Sequence, residues 1–182
     1  MIEVLQLFPV HVFKIKIADP EEILTEINSK KDQIRQVSES STEYQSVETY
    51  KTDYSRPVKI NSFESQIISC LSDLEEKNLN AEITMYWTAI YSGTGHHSPH
   101  THARNQFEYW NYSGVLYLCE GAGTNFYSPS VSCVEKVTTI KPEFGTVILF
   151  PSTLLHSYVP LNSLSKNERC IMSFNVNLTT RR

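Results

Sequence analysis

The chain has 182 residues, 40% hydrophobic and 20% charged, with a formal net charge of −4 at pH 7 when its six histidines are neutral. That length supports one domain with a sizeable core, and a mixed, mildly acidic charge offers no basic stripe for nucleic acid. No stretch reaches the ~18 apolar residues of a membrane span, and the opening "MIEVLQLFPVHVFKIKIADP", interrupted by Glu3, Pro9 and two lysines, lacks the layout of a secretory signal.

A first strand is expected over Val4–Ile17, where Val10 and Val12 alternate with His11 and Phe13 and the lysines Lys14 and Lys16 point outward. Asp19 as N-cap and Pro20 at the first helical position then open a helix expected over Pro20–Val37, with Ile23, Ile27 and Ile34 on one side. Ser38–Asn61 is polar and aperiodic, a long loop with at most one short strand. Asn61 or Ser62 caps a second helix whose apolar face is Ile67, Ile68, Leu71 and Leu74, ending near Lys77–Asn78. From there the chain turns β-rich: "AEITMYWTAIYSG", "YSGVLYLCEG", "GTNFYSP", "VEKVTTIKP", "GTVILFP", "HSYVP" and "RCIMSFNVNL" are short strands separated by Gly and Pro. The pattern predicts a mainly β domain over residues 1–182, a helical part (1–79) packed on a β double sheet (80–182) of the sandwich or barrel type. Cys70, Cys119, Cys133 and Cys170 are widely spaced with no CxxC pair, which suits reduced thiols in a cytoplasm.

Four of the six histidines fall inside "HHSPHTH", His96–His102. Neutral imidazole is the commonest metal ligand. On an extended chain, His100 and His102 share a face about 6.5–7 Å apart along the strand, close enough to converge on one ion. A histidine-rich surface loop produces the same letters. The sixth histidine, His156, follows the buried strand "VILF" and the break at Pro151; thirteen residues later stands Arg169. In that last strand Cys170, Met172, Phe174 and Val176 form an apolar face, and Arg169, Ile171, Ser173 and Asn175 form the other. An arginine among small and polar groups can grip a carboxylate through two parallel hydrogen bonds.

With "HTHARN", "YSGVLYL", "GTVILFPSTLLH" and "RCIMSFN" in this order over about Tyr86 to Leu178, the sequence resembles the 2-oxoglutarate- and Fe(II)-dependent oxygenases. More narrowly, it looks like a family of small phage and bacterial members. The resemblance implies a double-stranded β-helix, the jelly roll, braced by two or more helices, with Fe(II), 2-oxoglutarate and O2 as cofactors. It implies His100 and His156 as metal ligands and Arg169 as the clamp on the far carboxylate of 2-oxoglutarate. It also puts Tyr117, Tyr91 and Ser173 at the cosubstrate pocket. Asn105, three residues after His102, would orient a ligand or hydrogen-bond the cosubstrate.

The superfamily's pattern is His-x-Asp or His-x-Glu; here His102 stands in the acid's place. Three readings stay open: His102 is the third ligand, a carboxylate such as Glu108 takes the position, or His96 or His97 serves instead. The expected activity is hydroxylation of a small molecule or peptide, in the cytoplasm (the host's, if phage-encoded), with a homodimer possible. Two rivals remain, a three-histidine cupin-like dioxygenase that does not use 2-oxoglutarate and a non-catalytic jelly-roll binding module. The loop Ser38–Asn61 and the insert "QFEYWNY" are candidate lids, and Asn125 and Tyr127 candidates for the mouth.

Overall fold

The computed structural model describes residues 10–39, 49–51, 58–72, 79–91, 96–102, 111–121, 123–128, 137–158 and 168–180. Its helices are α1 (Pro20–Ser29), α2 (Lys31–Glu39) and α3 (Asn61–Ser72). Its strands are β1 (Phe13–Lys16), β2 (Thr49–Lys51), β3 (Leu79–Tyr91), β4 (His97–His100), β5 (Tyr112–Tyr117), β6 (Thr124–Tyr127), β7 (Val137–Ile140), β8 (Thr146–Pro151), β9 (His156–Tyr158) and β10 (Arg169–Thr180).

Helix α1 starts as its sequence predicts. The Asp19 side chain accepts from the Glu22 N–H at 3.1 Å, Pro20 needs no partner for a missing N–H, and Glu21 and Glu22 suit the positive helix end. The single helix expected to Val37 is two helices. At Lys30 the backbone leaves helical geometry (φ −107°, ψ 10°), the Lys30 N–H closes a tight turn on the Ile27 carbonyl, and Ser29 Oγ bonds back to Glu26 O at 2.7 Å. The break lets Ile34 on α2 join Ile23 and Ile27 in one core. Glu26 couples α1 to α3: its carboxylate accepts from the Asn61 and Ser62 N–H groups and the Ser62 hydroxyl, and pairs with Lys30. It thus caps a neighbouring helix. Burial pushes its pKa up, but these hydrogen bonds outweigh that and bring it down to about 2.

The strands form two antiparallel sheets, ordered β1-β8-β5-β10-β3-β2 and β4-β9-β6-β7. The inner strands β5, β8 and β10 of the six-stranded sheet are buried on both faces over most of their length. One face, with Leu116, Leu149, Cys170, Met172, Phe174 and Val176, shares a core with the isoleucines of the three helices. The other, with Ala89, Val115, Tyr117, Ile148, Phe150 and Ile171, meets Phe126 and Tyr158 of the smaller sheet. The alternation read from "RCIMSFNVNL" is therefore the alternation between two cores. Gly114 fits its strand because a Cβ there would stand 2.2 Å from the Phe174 ring.

β1 shows the expected period, Phe13 and Ile15 half-buried and Lys14 and Lys16 exposed. The strand expected from Val4 starts at Phe13: Val10, His11 and Val12 are exposed and precede it, because no neighbouring strand pairs with them among the described residues. Residues 4–9, most of Ser38–Asn61 apart from β2, and the predicted helix end at Lys77–Asn78 lie outside the described residues.

Candidate active site

β4 and β9 pair antiparallel with His100 directly opposite His156. Facing residues in such a pair hold their Cβ atoms about 4.5–5.5 Å apart, so the two imidazoles meet without any long-range adjustment. The ladder is irregular between His97 and His100, where Pro99 has no N–H to give. Beyond β4 the His102 N–H bonds the Ser152 carbonyl at 2.9 Å, which folds His102 back toward the same point. One ring nitrogen from each of His100, His102 and His156 lies within 4.8 Å of the others.

The hydrogen bonds fix which nitrogen faces inward. His100 Nδ1 donates to Ser98 O at 2.7 Å and His156 Nδ1 to Leu154 O at 2.9 Å. A carbonyl only accepts, so Nδ1 carries the proton and Nε2 presents a lone pair. His100 Nε2 and His102 Nε2 are 3.1 Å apart, the separation of two adjacent ligands each about 2.1 Å from one ion. Burial, reinforced by the neighbouring His100, pushes the His156 pKa down to about 4, so that ring is uncharged at neutral pH and ready to bind a cation. Three converging imidazoles suit a divalent first-row metal.

Across the cleft, Arg169 is 4% exposed, and its Nε and Nη1 have no hydrogen-bond partner among the described residues. Its Cζ lies 3.9 Å from the Tyr158 ring centroid, 5.1 Å from Tyr91 and 5.9 Å from Tyr117. The rings offset part of the cost of a buried cation, but two orphaned donors on a guanidinium call for a carboxylate. The Tyr117 hydroxyl bonds Thr124 Oγ1 at 2.7 Å. Burial raises the Tyr91 and Tyr117 pKa values, with the Arg169 charge opposing, so both phenols keep their protons. The cleft between triad and arginine is lined also by Trp87, Val115, Thr124, Ile171 and Ser173.

This architecture has solved counterparts. The viral collagen prolyl hydroxylase of Paramecium bursaria Chlorella virus-1, in its 2-oxoglutarate complex, aligns with TM-score 0.60 at 16% identity, covering 91% of this chain and 94% of that one. A prolyl hydroxylase from Trichoplax adhaerens in complex with a peptide fragment gives 0.64 at 16% identity over 91% and 83%. HygX from Streptomyces hygroscopicus, with nickel and 2-oxoglutarate bound, gives 0.61 at 12% identity over 92% and 83%. The chain has the 2OG-Fe(II) oxygenase fold. No protein-family profile matches the sequence, and no curated protein does.

Within this oxygenase fold, His100, His102, His156, Arg169, Tyr91 and Ser173 all line one cleft, and Tyr117 lies buried behind Thr124. His97 is half-buried, stacks on His100 at 4.3 Å and has its Nδ1 3.3 Å from the Tyr91 hydroxyl, outside the converging triad; His96 is exposed. Asn105, Glu108 and most of the aromatic insert lie outside the described residues. Asn125 and Tyr127 bond Thr139 and Ser157, on the face of β6 opposite Thr124 and Phe126. Sequence reasoning missed Trp87, Thr124 and Tyr158. Tyr158 had a signal: it stands two residues after His156 on a strand, hence on the same face.

Proposed function

We propose that this chain is a 2-oxoglutarate- and Fe(II)-dependent dioxygenase that oxidises a C–H bond of a small molecule or peptide. The observation that carries the reading is a converging histidine triad facing, across one cleft, a buried arginine with two donors unpaired among the described residues. His100, His102 and His156 hold the metal through Nε2. Arg169 grips the distal carboxylate of 2-oxoglutarate, with Tyr91 and Tyr117 as neutral phenols beside it and Ser173 on the same wall. Trp87, which packs against His102, and Val115 and Ile171 supply apolar wall between the triad and Arg169. When bound, Fe(II) with 2-oxoglutarate and O2 supplies the oxidation, coupled to release of succinate and CO2. The peptide complex of the Trichoplax hydroxylase supports a peptide as one substrate class.

The whole chain acts as one domain in this reading, since β1 and β2, at the two edges of the larger sheet, both come from its first 79 residues. The thiols of Cys119 and Cys170, neither joined in a disulfide among the described residues, support work in a reducing cytoplasm. The absence of a carboxylate from the triad favours the cupin-like alternative; the orphaned donors of Arg169 weigh against it, because that chemistry has no use for a carboxylate clamp. The test is anaerobic loading with Fe(II) and 2-oxoglutarate, then exposure to O2 with pooled metabolites and peptides. Succinate formed in step with 2-oxoglutarate loss supports the proposal. Iron-loaded protein that never consumes 2-oxoglutarate refutes it.

A further inference from the structure

The far nitrogen of His102 is held differently from those of the other two histidines. His100 and His156 turn Nδ1 to carbonyls two residues back in their own segments. His102 Nδ1 lies 3.1 Å from Asn175 Oδ1 and 3.0 Å from Ser113 Oγ. Ser113 Oγ in turn donates to Asn175 Oδ1 at 2.9 Å and stands 3.0 Å from Ser152 Oγ. These partners are 0%, 2% and 2% exposed for Ser113, Asn175 and Ser152. They come from β5, β10 and the segment after β8, so three separate parts of the chain converge on one imidazole edge.

The network decides a tautomer. His100 Nε2 already presents a lone pair toward His102 Nε2 at 3.1 Å. For His102 to bind the same ion, its proton must sit on Nδ1. Asn175 Oδ1 only accepts, and it also takes the Ser113 proton, which leaves the serine oxygen as a second acceptor at Nδ1. We propose that Asn175, assisted by Ser113, is the positioning residue that makes His102 the third metal ligand: its amide oxygen keeps the His102 proton on Nδ1 and turns Nε2 into the cleft. The proposal rests on the triad reading above and extends it, because it explains how a histidine occupies a position the related pattern gives to an acid. The centre so built holds its ion with three uncharged donors, leaving the full metal charge for anionic chelators.

The test uses Co(II), titrated anaerobically without 2-oxoglutarate and followed by its visible absorption bands. Asn175→Leu removes the acceptor and is expected to weaken Co(II) about 10- to 100-fold. Asn175→Asp keeps an acceptor facing Nδ1 and is expected to bind at least as tightly as wild type, with shifted bands from a more electron-rich imidazole. Wild-type Co(II) affinity in Asn175→Leu, or equal losses in both variants, overturns the proposal. Nitrogen-15 spectra of the Zn(II)-loaded wild type give a measurement independent of folding: a proton on His102 Nδ1 supports the proposal, and its absence there overturns it. Co(II) bands that respond to Asn175 in a protein inert toward 2-oxoglutarate would remove the oxygenase reading and leave this inference standing.

Discussion

Replacing Arg169 with methionine sets stability against cosubstrate binding. The guanidinium is buried with two donors that find no partner among the described residues, and each such group costs about 1–3 kcal/mol, more when charged. The Tyr158 ring at 3.9 Å returns about 1–2 kcal/mol. The balance predicts that Arg169→Met stabilises the unliganded protein by about 1–4 kcal/mol, as apolar replacement of buried charge often does. In a chain of this size each kcal/mol moves Tm by about 2–4 °C. Binding moves the other way. Removing one partner of a desolvated charge pair costs about 2–5 kcal/mol, so 2-oxoglutarate affinity falls about 30- to 4,000-fold. The assay is thermal unfolding without ligand, together with calorimetric titration of 2-oxoglutarate into the Zn(II)-loaded protein, where no turnover interferes. Arg169→Lys should recover only part of the affinity, since an ammonium lacks the planar fork. A lower Tm in Arg169→Met would show that the guanidinium holds the fold together, and unchanged 2-oxoglutarate affinity would show that it is no clamp.

Three further outcomes are expected. His100→Ala, His102→Ala and His156→Ala each lose stoichiometric metal by elemental analysis, whereas His11→Ala, at an exposed position, keeps it. Glu26→Gln lowers stability at pH 7 by on the order of 1–2 kcal/mol through the lost charge at the α3 cap. Because the folded pKa of about 2 lies below the ordinary 4.5, that contribution is present above pH 4.5 and fades as pH falls toward 2, so variant and wild-type urea midpoints converge there. His156 titrates near 4 when folded and near 6.5 when unfolded, so the unfolded chain takes up the proton first. Metal-free stability therefore falls as pH drops from about 6.5 to 4, and His156→Leu flattens that slope in denaturant melts across the interval.

What could be read in the letters was whatever depends on period and local chemistry. The two faces of β10 were legible because Arg169, Ile171 and Ser173 alternate strictly with Cys170, Met172 and Phe174. The start of α1 was legible because Asp19 and Pro20 act within one turn. The His100 and His102 pair could be placed on one side of an extended chain, but its meeting with His156 depends on the β4–β9 register, which distant segments set. The break at Lys30 carries no Gly or Pro; it follows from Ser29 bonding back to Glu26 and from the core position of Ile34. The cradle of Ser113, Ser152 and Asn175 was invisible because each is an unremarkable small polar residue until three parts of the fold bring them together.

β10 joins β3 on one side and β5 on the other, at the interior of the larger sheet, yet it is the last strand in this sequence to leave the ribosome. Until it emerges, β3 and β5 have no partner along those edges, and β1 waits for Leu149 on β8. Unpaired hydrophobic strand edges recruit other chains. Nascent protein should therefore need shelter until β10 emerges, and a stop codon just before Arg169 should yield aggregate: it removes an interior strand, Cys170, Met172, Phe174, Val176 and Leu178 from the helix-facing core, Ile171 from the other core, and the arginine of the cleft at once.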